Sequence, residues 1–100
     1  MKKFMVVECK DTELLYPKFF DTLFRAKSYM MERFCVTSIR TDRKYHYDFK
    51  IKSQKDFDKV VKDLSESGLM DYENAFTEYE AWAKTCSQHQ WHCKIFTVEI

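Results

Sequence analysis

The stretch Lys44-Tyr45-His46-Tyr47-Asp48-Phe49-Lys50-Ile51-Lys52 alternates without a break: each odd position is aromatic or β-branched and apolar, each even one polar. A period of two marks a strand with one dry face and one wet face. The rest of the chain has to cover Tyr45, Tyr47, Phe49 and Ile51 and leave His46, Asp48, Lys50 and Lys52 to solvent.

The cover is aromatic. Of the 100 residues, 45% are hydrophobic and 17% are Phe, Trp or Tyr, enough for one domain (residues 1–100) with a core of its own and no room for linkers. A single Gly and a single Pro leave few positions for a phosphate-cradling loop, which argues against a nucleotide site, and no motif calls for a cofactor. The net charge of +1 is unevenly spread: residues 25–55 hold nine Lys/Arg against three Asp/Glu, and residues 56–85 hold eight Asp/Glu against three Lys. The N-terminus meets Glu8, Lys10 and Asp11 before an export signal could accumulate, and no apolar run approaches a membrane span. Four scattered cysteines (9, 35, 86 and 93) then predict reduced thiols in a cytoplasmic setting, with a Cys9–Cys93 bridge as the lesser alternative.

Phe4 to Cys9 reads as a strand apolar on both faces. After a turn at Lys10-Asp11-Thr12, Pro17 opens a long amphipathic helix in which Phe19, Leu23, Ala26, Met30 and Phe34 recur at spacings of three and four. Cys35 to Arg40 and Lys44 to Lys52 form a hairpin about Thr41-Asp42-Arg43. Ser53-Gln54-Lys55-Asp56 fits a helix N-cap, Phe57, Val60, Val61 and Leu64 share a face, and Gly68 stops the helix. Asp71 reads as a fresh cap, with Tyr72, Ala75, Phe76, Tyr79, Trp82, Ala83 and Cys86 at helical spacing, so a third helix is predicted over 71–88. Trp91 to Ile100 closes the chain as a strand populated on both faces. The order βαββααβ predicts an α+β fold of the ferredoxin-like kind, an antiparallel four-stranded sheet in the order 4-1-3-2 with the helices packed on one face.

Three surfaces compete for function. Arg40, Arg43, Lys44, His46, Lys50 and Lys52 form a basic patch on the wet side of the hairpin. Such a patch suits an acidic protein or, in salt-sensitive and sequence-tolerant fashion, nucleic acid. The RNA-recognition motif shares the topology, but its signature glycines are missing from Arg43-Lys44-Tyr45-His46-Tyr47-Asp48-Phe49, and turning the tyrosines outward would bury charges. Cys86 and His89, three apart, are a zinc-friendly pair, which Cys93 and Cys9 would complete as a metal set. That spacing matches no standard module, and the Cys/His group lacks a third orienting residue for nucleophilic chemistry, so the expectation is a non-enzyme. Last, strands one and four, apolar on both sides, predict a dry strip on the open sheet face that something must cover. By elimination, the expected function is binding of a protein partner, as an inhibitor, adaptor or regulatory subunit. The open face also offers itself to a second copy of the chain, as a homodimer.

Overall fold

The computed structural model describes residues 1–38, 51–68, 70–86 and 89–100, all but the side chain of Cys86. Eight elements follow in chain order: β1 (Lys2–Lys10), β2 (Glu13–Leu14), β3 (Lys18–Phe20), α1 (Leu23–Thr37), α2 (Gln54–Glu66), β4 (Ala75–Phe76), β5 (Glu80–Cys86) and β6 (His89–Glu99). The class is α+β, but the sheet is not the predicted four-stranded one. Among the described residues it has six strands, all antiparallel, running β2-β1-β6-β5-β4, with β3 also paired to the outer edge of β1. The central pair is the first and last strands, in register from Lys2↔Glu99 to Lys10↔Trp91.

Alternation along that pair sets the two faces of the sheet. Val6 and Glu8 on β1, Trp91, Cys93 and Ile95 on β6, and Ala81 and Ala83 on β5 are buried on one side, under α1. There they join Ala26, Met30, Met31, Phe34 and Cys35 of α1 and Phe57, Val60 and Leu64 of α2 in one core. Phe76 of β4 ties the two helices together through edge-on contacts with Phe34 (5.4 Å) and Phe57 (6.0 Å). Lys27 is also inside. Its ammonium lies 4.6 Å from the centre of the Phe57 ring, 5.1 Å from Tyr79 and 5.6 Å from Phe24, so three aromatic faces receive the charge.

Local chemistry explains where the elements begin and end. α1 starts six residues after Pro17, because the side chain of Thr22 accepts the Arg25 N–H (3.2 Å) and caps the helix there. Lys18–Phe20, predicted as the first turn of that helix, is instead a strand on β1, and the helix runs on through Thr37 where a strand from Cys35 was expected. α2 stands where its signals put it: Ser53 accepts the Asp56 N–H (3.3 Å), and Gly68 takes φ +69° just past the end.

The predicted third helix is a correction. Residues 75–86 form the β4–β5 hairpin, and Asp71 caps a tight turn, accepting the N–H groups of Glu73 (2.8 Å) and Asn74 (3.0 Å). The segment carries both periodicities. Tyr72, Ala75, Phe76, Tyr79, Trp82 and Ala83 recur at helical spacing, yet Ala81 and Ala83 inward with Glu80, Trp82 and Lys84 outward is a period of two. The exposed edge of β6 decides between them, since pairing with β5 satisfies its backbone groups while two alanines leave room for α1 above. The strand predicted over Lys44–Lys52 lies outside the described residues except for its last two. Of these, Ile51 is buried and joined to Ser28 Oγ through its N–H (3.2 Å) and its carbonyl (3.2 Å).

Candidate functional site on the open sheet face

Opposite the helices, the other half of each strand's residues forms a face that no described element covers. Asp11 N–H donates to Gln90 O (2.7 Å) and Ile100 N–H to Met1 O (3.0 Å), so the odd residues of β1 form the hydrogen-bonded pairs with β6. Those pairs are Lys3–Val98, Met5–Phe96, Val7–Lys94 and Cys9–His92. Leu14 extends the row beyond Cys9, and Phe19 extends it beyond Met5. Phe96 is 40% exposed, Phe19 52% and Leu14 69%, while Met5, Val7 and Val98 are half-buried. The dry strip expected along the first and last strands is therefore present, and two short strands widen it. Exposed apolar side chains in contiguous rows differ from the scattered ones common on any surface.

Charged groups frame this strip, and nearly all are paired. Lys3 Nζ meets Asp21, Lys84 Nζ meets Glu73 (3.1 Å), and His92 Nε2 meets Glu80 Oε1 (2.5 Å). At one end, Asp11 locks the β1–β2 turn to the start of β6, where Oδ1 accepts the Gln90 N–H (2.9 Å) and Oδ2 contacts His89 Nδ1 (2.6 Å). The bond from the Gln90 N–H, followed by that to His89, holds the Asp11 carboxyl below its ordinary range. Asp11 itself sits at φ 55°, a left-handed conformation that Asp tolerates better than most residues.

Two hollows open on this face. A shallow apolar one of about 160 Å³ is lined by Val7, Cys9, His92, Cys93, Lys94 and Phe96. A mixed one of about 330 Å³ lies beside it, walled by Cys9, Tyr72, Trp82, Lys84 and His92 among others.

Of the basic patch, Arg40, Arg43, Lys44, His46 and Lys50 lie outside the described residues. Lys52 is exposed just before α2, its N–H donating to Asp56 Oδ2 (2.9 Å). The Cys/His set does not come together. Cys9 is on the open face opposite His92, whereas Cys93 is buried on the helix face opposite Glu8, so the sheet separates them. His89 is occupied by Asp11, and the side chain of Cys86 is outside the described residues. Among the described residues no group of three or more His, Cys, Asp or Glu is placed to hold a metal ion. The same separation removes the Cys9–Cys93 bridge, and both thiols are free. Burial, with the Glu8 charge adding to it, pushes the Cys93 thiol up to about 12, and burial raises Cys35 to about 12 as well.

The core side holds a polar cluster that the sequence did not announce. Glu8 accepts from Arg33 Nε (2.7 Å), Trp91 Nε1 (3.0 Å) and Tyr29 Oη (3.2 Å), a set assembled from β1, α1 and β6. Burial, then the Glu8 charge and hydrogen bond, raise the Tyr29 hydroxyl and keep it a donor. The cluster lies between α1 and the sheet, on the helix side and not on the open face. No described helix is long and apolar enough to cross a membrane. The chain matches no protein-family model, no curated protein and no solved structure.

Proposed function

We propose that this chain is a small non-enzymatic interaction domain that binds a protein partner through its open sheet face, in the role of an inhibitor, adaptor or regulatory subunit. One observation carries the reading: Leu14, Phe19 and Phe96 project from a sheet face that no described element covers, in line with Met5, Val7 and Val98. Covering such a strip is worth roughly 25 cal/mol per Å² of apolar surface removed from water. A ring such as Phe96, central and flanked by semi-buried neighbours, is the kind of residue on which interface energy concentrates.

The test is affinity capture from the native cell with three baits: the wild-type chain, Phe96→Asp and Phe19→Asp. A stoichiometric protein retained by the wild type and lost from both variants is the expected result. Retention that is indifferent to both substitutions would overturn the reading. A mobility-shift experiment at low salt addresses nucleic acid as the competing ligand. The absence of a shift is expected, and a shift that Phe96→Asp leaves intact would favour binding through the basic residues instead.

A further inference from the structure

The open face also indicates what its partner carries. Lys94 stands at the centre of the apolar strip, opposite Val7, with its ammonium 5.5 Å from the centre of the Phe96 ring. Glu80 is its cross-strand neighbour on β5, but that carboxylate is turned to His92. Lys3 and Lys84 have Asp21 and Glu73, so among the described residues Lys94 is the cation of this face with no carboxylate in ion-pair range. It borders the 160 Å³ depression, whose floor and walls are Val7, Cys9, His92 and Phe96.

A partner that covers the strip takes Lys94 out of water. An ammonium buried without a counter-charge weakens binding, whereas one met by a carboxylate with good geometry recovers that loss. The depression is the size of one side chain, and a single anchor in a fitted hollow is the usual centre of a binding surface. A second copy of the chain does not supply the missing group. A two-fold contact places the same face on itself, and the carboxylates nearest that face are already engaged by Lys3, Lys84 and His92. We infer that the open face binds a segment of a different protein in which an aliphatic or aromatic residue fills the depression and a nearby Asp or Glu pairs with Lys94. The inference rests on the reading of this face as the docking surface.

The experiment selects a random-peptide phage library on the immobilised full-length chain, with Phe96→Asp and Lys94→Glu selected in parallel. All three are first checked for native circular dichroism, since both sites are on the surface. Peptides from the wild type are expected to pair a large apolar residue with Asp or Glu within a few positions, and to lose at least about tenfold in affinity on Phe96→Asp. On Lys94→Glu the same peptides weaken by about tenfold, and the library's preference turns to Lys and Arg. Peptides that depend on Phe96 but show no acidic preference and ignore Lys94→Glu overturn the inference and leave the docking face standing. Peptides indifferent to both substitutions, or none selected at all, overturn the face itself. A concentration-dependent dimer in sedimentation that Phe96→Asp dissolves assigns the face to a second copy, which also overturns the inference.

Discussion

Glu8 is the residue on which the core is most exacting. Its side chain is 6% exposed and bound to a guanidinium that is itself one-third exposed, so the pair is anchored inside but reaches toward water on the Arg33 side. Three donors from two elements, α1 and β6, converge on it, and truncation strands all of them. Glu8→Ala is expected to cost about 3 kcal/mol, the range for breaking a buried pair by removing one partner. Arg33→Ala is expected to cost less, because Tyr29 and Trp91 still satisfy the carboxylate. Urea unfolding of both variants checks the order; an Arg33 variant as damaged as the Glu8 one would show that the ion pair, not the three-donor network, matters. The cysteines divide by the same logic of faces: Cys35 and Cys93 are buried, high-pKa thiols of the core, and Cys9 is the described thiol that borders the open-face strip.

At the scale of elements, α2 has both ends written in its sequence, and the cost of erasing either is predictable. Ser53→Ala removes the acceptor for the Asp56 N–H and is expected to cost about 1 kcal/mol. Gly68→Ala meets nothing within 4 Å of the added Cβ, so its cost is purely that of holding φ +69° with a side chain, again about 1 kcal/mol. Gly68→Asn, a residue that tolerates the left-handed region, is expected to recover part of that loss. Additive urea midpoints for the Ser53/Gly68 double variant are the check, since the two sites share no contact. α2 was legible because its signals are local: a cap, a stripe and a stop. β1 and β6 were legible for a similar reason, as apolar residues on both faces of Phe4–Cys9 and Trp91–Ile100 require a cover on each side. The β4–β5 hairpin was not, because its two alanines and Trp82 satisfy a helical and a strand spacing equally, and only the pairing with β6 separates them. Phe19 and Leu14 were missed as site residues for the same reason. They join the open face through pairings of β3 and β2 with β1 that depend on turn geometry, not on any period in the chain.

For the whole molecule, stability against pH follows from where its carboxylates and thiols sit. Asp11 is held below the ordinary 3.8 by the Gln90 N–H and then His89, Asp21 by the hydrogen bond and charge of Lys3, and Asp56 by the N–H of Lys52. In each case the unfolded chain takes up its proton at a higher pH than the native one. Their contribution is therefore present above about pH 4 and lost as pH falls through the lower native values. Cys35 and Cys93 act in the opposite direction. Raised from 9.0 to about 12, they contribute below pH 9, and that contribution drains away as pH climbs toward 12, because the unfolded thiols ionise first. The melting temperature is thus expected to hold a plateau from about pH 5 to 8.5, with a limb falling on each side. Asp11→Asn keeps a residue suited to φ 55° while removing the titration, so with Asp21→Asn and Asp56→Asn it is expected to lower the plateau and flatten the acid limb. The alkaline limb is expected to keep its position, since its thiols lie in the core and the three aspartates lie at turns, a strand end and a helix start. Thermal melts of the triple variant across pH 2.5 to 10.5 decide it: an acid limb as steep as the wild type's would place the acid sensitivity on other groups.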